Sequence, residues 1–256
     1  MSDVEVFSYA KTETLAATLG KYILRLQNEV LLKNEVFTVS VSGGSLVKVL
    51  QLALIEDPEI SKKIHWEKWH IYFSDERLVP LNHPDSNYKL FHDKVLAPLS
   101  DAQVAGPEVF TINESLVHSG DDATDVKIAE EYQSLLPKSL SFDLILLGLG
   151  PDGHTASLFP GHQGLKVEDK WIFNINDSPK PPPRRISFSL PLISKAKNIA
   201  FVAEGAGKAP VIKKIFEDQS SGLPGELVND LPNIPIKWFV SNDAIAGAPI
   251  IVSMFE

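Results

Sequence analysis

Three stretches of the chain, Leu144-Ile145-Leu146-Leu147-Gly148, Ile199-Ala200-Phe201-Val202-Ala203 and Ile236-Lys237-Trp238-Phe239-Val240, are short and almost wholly apolar. A strand with one wet face alternates apolar and polar residues, so stretches like these read as strands covered by helices on both sides. Val36-Phe37-Thr38-Val39-Ser40-Val41 and His70-Ile71-Tyr72-Phe73-Ser74 follow the same grammar with β-branched and aromatic residues. Helical spacing surrounds them. Leu15, Leu19, Tyr22, Ile23, Leu26 and Val30 recur three and four apart, and Leu46, Val47, Val49, Leu50 and Leu54 do so after the strand at 36–41. Further helices are expected near 124–136 and 207–217. The fold class is therefore α/β, a largely parallel sheet flanked by helices, with no internal sequence repeat.

The 256 residues, 44% hydrophobic and 22% charged, suit an ordinary globular chain, and one α/β domain over 1–256 is the expectation. Its 24 Lys and Arg against 33 Asp and Glu leave a formal charge of -9. That balance opposes a phosphate-backbone surface, so nucleic acid is not an expected partner. A small anion stays possible wherever a few cations and backbone N–H groups converge in one cleft. The absence of cysteine removes thiolate nucleophiles and sulfur-built zinc sites. The opening MSDVEVFSYAKTE has neither a basic nor an apolar targeting segment, and no apolar stretch of about 18 residues follows. A cytoplasmic protein with no membrane partner is expected. The oligomeric state is left open, and a monomer is compatible.

The strand ends carry the candidate chemistry. Ser42-Gly43-Gly44-Ser45 lies between a strand and a helix, where backbone N–H groups and the helix dipole favour an anion; a plain capping turn is the other reading. It matches neither the dinucleotide nor the Walker pattern, so NAD and ATP are not indicated. Ser74-Asp75-Glu76-Arg77 leaves another strand at its carboxyl end and opens a long polar loop through His83-Pro84-Asp85-Ser86-Asn87-Tyr88, read either as a surface turn or as part of a site.

Gly148-Leu149-Gly150-Pro151-Asp152-Gly153-His154 is the most informative segment. Imidazole is the side chain whose ordinary pKa, about 6.5, suits proton transfer at neutral pH, and a carboxylate two residues away can fix its tautomer. A capping histidine is the competing reading. Solvent or packing roles are expected for the histidines at 65, 70, 83, 92, 118 and 162. Lys208 follows an apolar strand in Gly205-Ala206-Gly207-Lys208, placed either on a helix surface or in the same cleft. The breaker run Ser178-Pro179-Lys180-Pro181-Pro182-Pro183 should be extended and polyproline-like, a linker or a rigid arm presenting Arg184 and Arg185.

Taken together, Ser42-Gly43-Gly44-Ser45, Ser74-Asp75-Glu76-Arg77 with Val79-Pro80, His83 to Tyr88, and Gly148 to Gly161 resemble the 6-phosphogluconolactonase family over nearly the whole chain. The resemblance implies a Rossmann-like domain related to glucosamine-6-phosphate deaminases and ribose-5-phosphate isomerases. It implies hydrolysis of 6-phospho-D-glucono-1,5-lactone in the pentose phosphate pathway, with a phosphorylated sugar lactone as partner and no metal or organic cofactor. On that reading His154 is the general base, while orienting the imidazole or its loop (Asp152) and holding substrate hydroxyls (Asp75) are two carboxylate roles that the sequence does not separate. Ser42, Gly43, Gly44, Ser45, Arg77, Lys208 and Arg185 receive the phosphate. A deaminase counterpart carries a glutamate shortly after the histidine, whereas Thr155-Ala156-Ser157-Leu158-Phe159-Pro160 has no carboxylate. A deaminase-like aldose-ketose isomerase and a non-catalytic sugar-phosphate-binding relative are the alternatives.

Overall fold

The computed structural model describes residues 4–217 and 220–255. In chain order the strands are β1 (Val4–Tyr9), β2 (Phe37–Val41), β3 (Trp69–Phe73), β4 (Asp75–Arg77), β5 (Glu108–Val109), β6 (Leu144–Gly148), β7 (Ile172–Ile175), β8 (Arg185–Phe188), β9 (Ile199–Ala203) and β10 (Ile236–Ser241). The α-helices are α1 (Thr12–Leu31), α2 (Ser45–Leu50), α3 (Asn87–Phe91), α4 (Ala97–Asp101), α5 (Asp122–Ser134), α6 (Leu190–Ile193), α7 (Ala209–Glu217) and α8 (Pro224–Asn229). The periodic segments foreseen at 14–30, 46–54, 124–136 and 207–217 all lie on helices, the second running on through a widened turn at Gln51–Glu56.

Seven strands form one sheet in the order β1-β10-β9-β6-β2-β3-β5, with every neighbouring pair parallel. From β2 the chain steps outward through β3 to β5, then returns to the far side of β2 as β6 and steps the other way through β9 and β10. The reversal lies between β2 and β6. In open α/β sheets such a reversal leaves a crevice beyond the strand carboxyl ends, because the two crossover connections diverge there.

Period-two alternation divides the core between the two sheet faces. Leu144 and Leu146 of β6 pack with Phe37, Val39 and Val41 of β2 against Leu15, Leu19 and Ile23 of α1. Ile145 and Leu147 turn the other way, with Phe201, Trp238, Ile128 of α5 and Ile212 of α7. Both faces are thus covered, which is why β6 and β9 needed almost no polar residue. Among the described residues, no helix is long and apolar enough to cross a membrane.

A second, antiparallel sheet, β4-β8-β7, lies beside the first. It alters two expectations. Asp75-Glu76-Arg77 does not begin an irregular loop: it is strand β4, with Asp75 facing Ser187 and Arg77 facing Arg185. Glu76 is buried there and accepts hydrogen bonds from the backbone N–H groups of Arg77, Asn87 and Tyr88 at 2.8, 2.7 and 2.9 Å and from the Ser86 hydroxyl at 3.2 Å. One carboxylate therefore folds the polar segment back on itself. The proline run does not stay extended either. It bends at residues 179–182, and the Pro181–Pro182 peptide is cis.

Candidate active site

The segments leaving β2, β3, β6 and β9 converge at the reversal. They enclose a cleft of about 210 Å³ lined by Ser42, Gly43, Gly44, Ser45, Asp75, Arg77, Gly148, Gly150, His154 and Lys208, together with Leu149, Pro151 and Ala156. Eight of the ten residues singled out in the sequence line this one space; Asp152 and Arg185 stand beside it.

Ser42 continues β2 by donating its N–H to the Leu146 carbonyl of β6 at 3.1 Å, so the glycine turn begins at the reversal itself. Gly44 caps α2 at φ 73°, a backbone region that disfavours side chains. A Cβ on Gly43 would lie 1.9 Å from Oδ1 of Asn87, whose Nδ2 donates to the Asp75 carbonyl at 2.8 Å and to Asp75 Oδ1 at 3.2 Å. The missing side chain lets the turn and β4 share one wall. Two donors in that wall, Ser42 Oγ and Arg77 Nε, are buried without a protein partner. Tyr22 Oη and Trp66 Nε1 are unpaired likewise; what sets Ser42 and Arg77 apart is that both residues line the cleft. Arg77 is held by its Nη1 bond to the Asp85 carbonyl at 2.9 Å.

His154 enters the same cleft from the loop after β6, its side chain 19% exposed. Its Nδ1 lies 2.5 Å from Asp152 Oδ1, and its ring packs on Phe159 with centroids 4.8 Å apart. A Cβ on Gly150 would sit 2.0 Å from that Nδ1, so the ring takes the place a side chain would fill. Burial raises the Asp152 carboxyl, but the hydrogen bond and charge of His154, joined by Lys180, outweigh it and hold the group at about 2. Asp152 is thus ionised at neutral pH. Two acceptors cannot approach to 2.5 Å, so Nδ1 is the donor to Asp152, and in the neutral ring the lone pair is then on Nε2. Burial pushes the imidazole below its ordinary value, Asp152 pulls it up, and the charge of Lys180 pushes it down again.

Asp75 is buried, with Oδ2 accepting from the Ser157 hydroxyl at 2.7 Å. Lys208 reaches the cleft from the turn after β9; burial lowers its pKa, as does the charge of Lys180, while Asp152 opposes the change. Arg185, expected near a phosphate, is buried and spent on protein acceptors: the carbonyls of Lys180, Pro181 and Pro182 at 2.9, 3.2 and 3.0 Å, and Ser157 Oγ at 3.2 Å. Arg184 turns away altogether, forked onto Asp125 of α5 at 2.8 and 2.5 Å. The arm therefore presents its lysine, not its arginines. Lys180 lies 3.1 Å from Asp152 Oδ1 and 3.4 Å from His154 Nδ1. Sequence reasoning passed over Lys180, Ser157 and this use of Asn87; a lone cation inside a rigid proline run was the available signal. Of the other histidines, His70 meets Glu108, His162 meets Asp177 and His118 is exposed. Among the described residues, no group of three or more His, Asp or Glu side chains is disposed to hold a metal ion.

Fold and cleft define a doubly wound α/β protein whose switch point holds a glycine turn, a histidine, an arginine and a lysine. The chain belongs to the family of glucosamine-6-phosphate isomerases and 6-phosphogluconolactonases, which matches it over residues 10–234. It is 45% identical over 244 residues to the Saccharomyces cerevisiae protein named 6-phosphogluconolactonase 3, covering 94% of this chain and 96% of that one. Among solved structures, the 6-phosphogluconolactonase from Trypanosoma brucei shares the fold at a TM-score of 0.80 and 24% identity, over 96% of this chain and 99% of that one. A monomeric glucosamine-6-phosphate deaminase shares it at 0.71 and 15% identity, over 94% and 99%.

Proposed function

We propose that this chain hydrolyses 6-phospho-D-glucono-1,5-lactone to 6-phosphogluconate. The observation that carries the proposal is the His154–Asp152 couple, its Nδ1 engaged and Nε2 basic, in a cleft that also holds Arg77 and Lys208. Nε2 takes a proton from a water as that water's oxygen bonds to C1 of the lactone, and the carbonyl electrons move onto its oxygen. When the tetrahedral adduct collapses, the C1–ring oxygen bond breaks and the ring oxygen takes the proton from Nε2. General-base catalysis of this kind supplies about 10² to 10⁴ in rate.

Asp75 is assigned to substrate hydroxyls, its carboxylate steadied by Ser157 and Asn87. The phosphate is assigned to the Gly43–Ser45 turn, the unpaired donors of Ser42 and Arg77, and the ammonium of Lys208. Arg185 acts from behind, by holding the arm and Ser157. The yeast relative's name supports the substrate. The absence of a carboxylate from 155–160 weighs against the deaminase reaction.

The test couples glucose-6-phosphate dehydrogenase to the purified protein and follows the lactone. Disappearance well above the spontaneous rate is expected. Spontaneous decay alone would leave a binding protein, and ammonium release from glucosamine 6-phosphate would make it a deaminase.

A further inference from the structure

Apart from Arg185, the arm at residues 178–185 has no part in the reaction as drawn, yet its backbone is held more tightly than a linker needs. Arg185 donates to three successive carbonyls, those of Lys180, Pro181 and Pro182, and the Ser178 N–H donates to the Pro183 carbonyl at 3.2 Å. Ser178 Oγ adds a bond to the Lys180 carbonyl at 2.8 Å. What this clamp delivers is one ammonium group, paired with Asp152 Oδ1 at 3.1 Å and lying 3.4 Å from His154 Nδ1 as a neighbouring charge.

We propose that Lys180 is a positioning residue that holds His154 in its neutral form, so that Nε2, across the ring from the Nδ1–H that Asp152 fixes, remains a free base on the acid side of neutrality. The inference rests on His154 being the base of the proposed reaction. Two features of the geometry carry it. Lys180 and His154 share one carboxylate oxygen, so each draws on the charge that would otherwise stabilise an imidazolium alone. A fixed positive charge 3.4 Å from Nδ1 also opposes a second positive charge on the ring. After the ring has taken the water's proton, the same repulsion favours passing it on to the departing ring oxygen.

Every charged group near the ring enters the balance. Asp152 on the same loop and Asp75 on β4 favour the imidazolium, whereas Lys180 opposes it. Lys208, on the turn after β9, couples to Lys180 and Asp152, and Arg185 lies across Phe159 with its guanidinium 5.4 Å from that ring's centre. Lys180 is the cation in direct contact with the imidazole, and with its side chain 36% exposed its field is only partly screened.

The test is the titration of the His154 ring, followed by NMR in the wild-type protein and in Lys180→Met, Lys180→Gln and Lys180→Arg, beside the pH profile of lactone turnover. In the wild type the acid limb of kcat/KM should lie below the ordinary imidazole value of about 6.5. Removing the charge in Lys180→Met or Lys180→Gln should raise both the ring titration and the acid limb by about one pH unit, and Lys180→Arg should restore them. A ring that titrates alike in all folded variants would overturn the proposal. The ring is titrated without substrate, so a wild-type protein that failed to hydrolyse the lactone would sink the reaction and leave the role of Lys180 to be decided by NMR.

Discussion

At the scale of single residues, the site is built as much by atoms left out as by groups supplied. The His154 imidazole occupies the volume a Gly150 side chain would need, with 2.0 Å between that Cβ and Nδ1. Gly150→Ala should therefore displace the ring while leaving both faces of the sheet intact. Since misplacement of a catalytic group by about 1 Å can cost 10²-fold, kcat/KM should fall about that much with an unchanged circular dichroism spectrum. Full activity in this variant would show that the ring position is not what the chemistry uses. Lys208 belongs to binding. Charge-assisted hydrogen bonds contribute about 1.5–3 kcal/mol, so Lys208→Ala should raise KM about tenfold or more, with less change in kcat. A pure loss of kcat would move Lys208 into the chemistry.

Secondary-structure elements show what could be read ahead and what could not. β6, β9 and β10 announce themselves because both their faces are buried, and the glycine turns after β2 and β6 announce the cleft because special backbone requirements leave a local trace. β4 was harder. Three residues as polar as Asp75-Glu76-Arg77 carry no strand pattern; they are a strand because β8 pairs with them from more than 100 positions away and Glu76 finds four donors. Lys180 stood out in the sequence only as a lone cation in the proline run, since its place beside His154 depends on where β8 begins. Arg184 and Arg185, adjacent in sequence, face opposite duties because successive side chains of an extended segment point to opposite sides. Arg184 ties the approach to β8 to α5 through Asp125, whose side chain is only 1% exposed. Breaking a buried pair of this kind costs about 3 kcal/mol, so Arg184→Met should lower unfolding stability by roughly that amount with KM unchanged. An altered KM with stability intact would place Arg184 at the ligand.

Over the whole molecule, the formal charge of -9 describes the surface and says little about the cleft. Arg77, Lys180 and Lys208 are gathered from three separate elements by the strand order, which brings the carboxyl ends of β2, β6 and β9 side by side and anchors β4 to the arm through β8. The topology thus gathers positive charge around the His154 imidazole although the chain as a whole is acidic. Everything proposed for the reaction turns on Nε2 of His154. The most direct test is the turnover of freshly generated 6-phosphogluconolactone by His154→Gln beside the wild type, with spontaneous hydrolysis subtracted. With Nε2 as the base, kcat should fall by about 10² to 10⁴. Turnover equal to that of the wild type would contradict it.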